Sequence, residues 1–279
     1  MRKMSFKRCL GVVVLGIVVL VLAQAAALVI GEICVGIWID RGAGNLVSAV
    51  LYVLFALAGV YGICRFVIGV PMERLRITVL RIDVFWSVCA VVMPLSVVGV
   101  YMMLGGHWEN SVLSGKEIWE NLSASVFLYG LAGGIVEEVI FRGLIMGALE
   151  KTWNKWAAVL APSLLFGVLH IIGNDLDFLS MVQLVVAGSV VGILFSMIAY
   201  FSGSVWNSAV VHGCWNAIIG LGIIHVGVST DKGAIFNFVI DRKSFLLSGG
   251  DFGIEASVVS VAVYLVFAAV AVWRGHSEK

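Results

Sequence analysis

Long unbroken apolar runs, separated by short polar breaks, set the pattern of this 279-residue chain. A helical run of roughly 20 residues covers the ~30 Å of hydrocarbon in a bilayer. The runs predict spans at about 10–30, 45–70, 83–104, 121–149, 155–173, 178–201, 205–225 and 256–273. No stretch alternates polar and apolar residues in the way an outer-membrane barrel requires. The predicted fold class is therefore all-α, a polytopic integral membrane bundle of about eight transmembrane helices, with residues 1–279 forming a single membrane domain. Three connections are long: Gly31–Asn45, Gly105–Glu120 and Val226–Glu255. The last contains the apolar stretches Ala234–Ile240 and Phe245–Leu247, which predict that it dips into the interface or packs on the bundle.

Composition agrees with the pattern: 61% of residues are hydrophobic and 13% charged. Mean hydropathy is +1.06. The first run partly resembles a secretory signal, with Arg2, Lys3, Lys7 and Arg8 ahead of it and Ala23-Gln24-Ala25 within it. The apolar stretch continues through Ile30, longer than a signal core, so it is read as a retained helix. With the N-terminus inside, those four residues, Arg65, Arg74, Arg76, Arg81, Lys151, Lys155, Arg274 and Lys279 fall on the cytoplasmic side. Arg41, Lys116, Lys232, Arg242 and Lys243 fall outside, an asymmetry that predicts cytoplasmic N- and C-termini. The segment Pro71–Ile82 mixes Glu73, Arg74, Arg76 and Arg81 with apolar residues and reads as an amphipathic stretch on that surface. A net charge of +1 gives no reason to expect a nucleic acid. Cys9, Cys34, Cys64, Cys89 and Cys214 lack metal-site spacing and a disulfide framework, and read as small packing residues.

The informative residues are polar ones inside the spans. The fourth carries Glu137, Glu138 and Arg142, where each charge near the bilayer centre costs about 2.5–3.5 kcal/mol. Glu138 and Arg142 are four apart and share a helix face, so they can pair. Glu137 is turned ~100° away and is left to aim elsewhere. A buried ion pair that fixes packing explains two of these residues; it gives no use for the adjacent second carboxylate. Span five carries Phe166 and His170, and span seven His212 and Asn216, both at i,i+4 spacing. A single histidine is more often a packing residue, but two histidines, an asparagine and two glutamates on three helices point to a shared polar chamber. Depth is the obstacle. At ~1.5 Å per residue, Glu137 and His170 lie roughly 20 Å into their spans and His212 only roughly 10 Å, so convergence needs tilt or a deeper start to span seven. Gly143xxxGly147 and Gly188xxxGly192 are read as packing contacts inside the bundle; His107, His225 and His276 receive no role.

These motifs, EExxxR, FxxxH and HxxxN in order on separate spans, resemble the CPBP family of CAAX proteases and bacteriocin-processing enzymes, which includes the type II CAAX prenyl endopeptidases. The motif-bearing core runs from about 120 to 225. The resemblance implies hydrolysis of a peptide bond within the membrane, in a membrane-associated or lipidated peptide or protein. It implies Glu137 as the general base, Glu138 and Arg142 as the residues that orient it, and His170 as the residue that binds or polarises the water. His212 and Asn216 would stabilise the oxyanion. The chamber is expected to open toward the cytoplasmic side or laterally, with Glu137 within direct or one-water reach of His170. No cofactor is required on this reading; the alternative is one zinc ion, with Glu137, His170 and His212 as candidate ligands, although no HExxH motif is present. Partners are a peptide or membrane-protein substrate and the lipid bilayer; nothing sets an oligomeric state. Two other readings compete: a catalytically silent membrane scaffold or immunity protein, and a proton-coupled transporter, against which stands the absence of an obvious internal repeat.

Overall fold

The computed structural model describes residues 4–220 and 223–277. Arg2, Lys3 and Lys279, used above for orientation, lie outside the described residues. Eight helices run in order: α1 (Phe6–Ile37), α2 (Arg41–Ile68), α3 (Val84–Leu104), α4 (Gly115–Thr152), α5 (Lys155–Leu169), α6 (Phe178–Ser202), α7 (Val205–Trp215, continued by Asn216–Gly220) and α8 (Val258–Ser277). Among the described residues, six are long and apolar enough to cross a membrane. The other two are α5 and α7. At 15 residues, α5 is roughly 22 Å long and stops short of a full crossing. Span five was expected to reach residue 173. Instead Gly173 takes a left-handed φ of 87°, and Asn174 Nδ2 donates to the His170 carbonyl at 2.9 Å, which closes the last turn. The predicted all-α polytopic bundle is present, with six helices long and apolar enough to cross and two shorter ones among the described residues.

The 38-residue α4 is the axis of the bundle. In its most apolar stretch 61% of residues are buried, against 17% in α1, and 138–149 are buried on every face. A helix wrapped all round by protein must be apolar all round, which makes the charges of Glu137, Glu138 and Arg142 conspicuous. Around it, α1 packs on α2, α5 on α6, α6 on α8, and α3 on α7. The two glycine motifs act within the bundle, as read from sequence. A Cβ at Gly143 would meet the Ile77 side chain at 2.6 Å, and one at Gly192 would meet Ser163 Cα at 2.9 Å. The five cysteines are free.

Two expectations for the connections are corrected. The outer loops do not merely pack on the bundle: β1 (Gly106–Asn110), β2 (Ile224–Gly227) and β3 (Phe236–Ile240) form a sheet in the order β1-β3-β2. The β1/β3 pair is antiparallel and β2/β3 parallel, and the apolar run within 234–240 is accounted for by buried Phe238 and Ile240. At the opposite end, Pro71–Ile82 is more than an amphipathic stretch lying on the surface. One tight turn, Met72–Leu75, buries Leu75 and Ile77 beneath α4, and Arg76 pairs with Glu150 at 2.7 Å. The Arg76 carbonyl accepts from Val205 N at 3.0 Å, so this strap underlies the start of α7 and lifts it into the bundle.

Candidate active site

In α4 the turn Gly134–Glu138 is ordinary α-helix between two wider, π-helical stretches, Ser123–Gly133 and Val139–Ile145. Such wide turns are frequent at functional sites because they redirect side chains at the cost of regular hydrogen bonding. Glu138 and Arg142 are fully buried and pair at 2.8 Å, as their spacing predicts. The guanidinium also donates to the Gly192 carbonyl at 3.1 Å and lies 4.6 Å from the Phe166 ring centre and 5.3 Å from that of Phe195. Those ring faces favour the cation where water is excluded.

His212 resolves the depth question. Because α7 begins above the strap, its second turn reaches α4, and Gly134 lets the two backbones touch. A Cβ at Gly134 would stand 2.8 Å from Gly213 N. His212 Nδ1 donates to Glu138 Oε1 at 3.0 Å, while Nε2 faces Glu137 Oε2 across 3.8 Å. That gap is too long for a hydrogen bond and within the span of one bridging water. The imidazole stacks on Phe195, with ring centres 4.5 Å apart, and meets the edge of Phe166 at 5.7 Å. Three buried polar atoms here, Glu137 Oε2, Glu138 Oε2 and Arg142 Nε, have no hydrogen-bond partner. Orphaned groups are costly unless something polar comes to meet them.

His170 caps α5 and its Nδ1 lies 2.7 Å from the Phe166 carbonyl. If Nδ1 donates there, Nε2 is left as the free face of a neutral ring. Glu137 makes no direct contact with His170; the histidine nearest it is His212. Asn216 Nδ2 reaches the Tyr129 carbonyl at a long 3.4 Å. His170, His212 and Asn216 line one cavity of about 50 Å³, together with Phe166, Phe195 and Trp215. That volume holds a few water molecules. It lies toward the sheet-bearing end of the bundle.

Two residues that the sequence reading passed over border the same cavity. Glu255, just before α8, accepts from Trp215 Nε1 at 2.8 Å, and Phe252 lies beside it. The only sequence signal was a lone acidic residue ahead of the last apolar run. For zinc, the candidate ligands were Glu137, His170 and His212. Among the described residues no group of three His, Cys, Asp or Glu is close enough together to hold a metal ion; the Nδ1 contacts of His212 and His170 leave each Nε2 open.

Residues 119–218, a little over a third of the chain, match the family described as Type II CAAX prenyl endopeptidase Rce1-like. The match covers Glu137, Glu138, Arg142, His170, His212 and Asn216 and leaves out α1, α2, α3 and α8. No curated protein and no solved structure matches the chain.

Proposed function

We propose that the protein is an intramembrane endopeptidase of the type II CAAX prenyl endopeptidase Rce1-like family, whose model residues 119–218 match, and that Glu137 activates the attacking water. One observation carries the reading: the Glu137 carboxylate has a buried oxygen without a hydrogen-bond partner, 3.8 Å from His212 Nε2. Glu138 also keeps one such oxygen, but its other is held by Arg142 and His212, so Glu137 is the carboxylate with no ion partner at hydrogen-bond distance.

In this mechanism Glu137 takes a proton from water as the oxygen attacks the scissile carbonyl carbon. It then returns that proton to the leaving amine as the C–N bond breaks. Glu138 and Arg142 hold the α4 turn and fix His212, whose Nδ1–H is committed to Glu138. A second proton on Nε2 makes the ring an imidazolium, able to donate to the oxyanion beside the Asn216 amide. His170, with Nδ1 engaged, offers Nε2 to the water. The substrate is a membrane-associated or lipidated peptide or protein. On this reading no metal is required.

Comparative membrane peptidomics of cells carrying wild type or Glu137→Gln tests this. Gln keeps the size and hydrogen bonding but cannot act as a base, so a cleavage product present with wild type should disappear while the protein remains inserted. Undiminished turnover in Glu137→Gln leaves the family fold serving as a scaffold. A zinc chelator should leave wild-type cleavage unchanged; its loss, restored by zinc, would reinstate the metal.

A further inference from the structure

Glu255 stands outside the family-matched segment, yet it borders the cavity that His170, His212 and Asn216 line. Its carboxylate accepts the Trp215 indole N–H at 2.8 Å, and Trp215 directly precedes Asn216. The acceptor is itself anchored. The Glu255 carbonyl accepts from Tyr264 Oη at 3.1 Å, the Ile254 carbonyl from Ser260 Oγ at 2.6 Å, and the Tyr264 ring packs edge-on to Trp215 at 4.9 Å. A close passage seals the arrangement, since a Cβ at Gly220 would meet Glu255 Oε2 at 3.2 Å.

Asn216 needs such support. From Asn216 the helix widens to a π-turn that ends at Gly220, and the 3.4 Å contact to Tyr129 fixes its amide weakly. An indole N–H could be satisfied by a backbone carbonyl, whereas a carboxylate in apolar surroundings is expensive. Burial pushes the Glu255 carboxyl above the usual carboxylate range, while the Trp215 hydrogen bond and the nearby His170 and His212 pull it back.

We propose that Glu255 is a positioning residue of the peptidase site: it clamps Trp215, and so sets Asn216 and the far end of α7 against the cavity. This rests on the peptidase reading, so the test has an arm that does not. Hydrogen–deuterium exchange of the full-length protein should rise across 212–220 in both Glu255→Ala and Trp215→Phe. The Phe variant keeps an aromatic ring against Tyr264 while losing the N–H and part of the indole's volume; it stays informative if Glu255→Ala folds poorly, and the Glu255→Gln arm separates the hydrogen bond from packing. Glu255→Gln, which still offers an acceptor, should restore most of the protection. In the cleavage assay, Glu255→Ala and Trp215→Phe should each lose about 10- to 100-fold in kcat with little change in KM. The double variant should be no worse than either single one. Unchanged exchange in Glu255→Ala and Trp215→Phe overturns the clamp, as does a Glu255→Gln protein as impaired as Glu255→Ala. A wild-type protein that cleaves nothing refutes the peptidase reading, and the exchange arm alone then decides the clamp.

Discussion

At the scale of single residues, Glu138 holds the site together. It accepts from Arg142 at 2.8 Å and from His212 at 3.0 Å through the same oxygen, Oε1. The ion pair therefore does not only offset the insertion cost of two charges; it also sets which nitrogen of His212 faces Glu137. Removing Arg142 leaves the fully buried Glu138 carboxylate without its cation, with His212 as its remaining partner. Arg142→Ala should lose about 3–5 kcal/mol of stability as well as activity, read as a lower unfolding midpoint in detergent. Glu137→Gln, by contrast, should unfold near the wild-type midpoint, because Glu137 is 24% exposed and has no ion partner closer than 3.8 Å. Equal midpoints for Arg142→Ala and wild type would contradict the structural role given to the pair.

At the scale of elements, the site depends on how closely α4 and α7 approach. Backbone touches backbone at Gly134 and Gly213, and neither partner is a side-chain end that could swing away. Gly134→Ala should push the helices apart, cost about 1–3 kcal/mol by overpacking, and lower cleavage at least about tenfold by drawing His212 off the two glutamates. Gly99→Ala in α3 is the control. Its Cβ would enter open space, so activity should hold and stability should rise slightly, by about 0.5–1 kcal/mol for a helix interior. An active, stable Gly134→Ala protein would mean that the contact does not set the site. The short α5 belongs to the same logic: because it stops at Leu169, His170 arrives at cavity depth as a helix cap.

At the scale of the molecule, two different ends of the bundle emerge. One carries the basic strap 71–82 and the α4–α5 turn; the other carries the sheet, Glu255 and the cavity. The lysine and arginine asymmetry predicts the strap end in the cytoplasm and the cavity end outside. In a background with the native cysteines replaced, a membrane-impermeant thiol reagent applied to intact cells should label Lys232→Cys and spare Lys151→Cys. The reverse result inverts the molecule and turns the cavity to the cytoplasm, where the family resemblance led us to expect it.

The sequence alone determined whatever depends on position along one dimension. Hydropathy marks the membrane helices because a bilayer has a single thickness to cross. The i,i+4 spacing pairs Glu138 with Arg142 because the helix period is fixed. The ordered motifs gave the family resemblance, and residues 119–218 match that family's model. Tertiary structure decided the rest, since it concerns which residues far apart in the chain come to lie together. His212 meets Glu138 across 74 positions and Trp215 meets Glu255 across 40. A backbone hydrogen bond from Val205 to Arg76 ties α7 to the strap, and β3 joins two loops that look unrelated in sequence. Glu255 could not be read in advance because its role comes from an indole delivered by another helix. A lone glutamate before an apolar run has the same sequence signature whether it faces headgroups or a buried cavity; only the packing of Trp215 on α7 against Glu255 and Tyr264 separates the two.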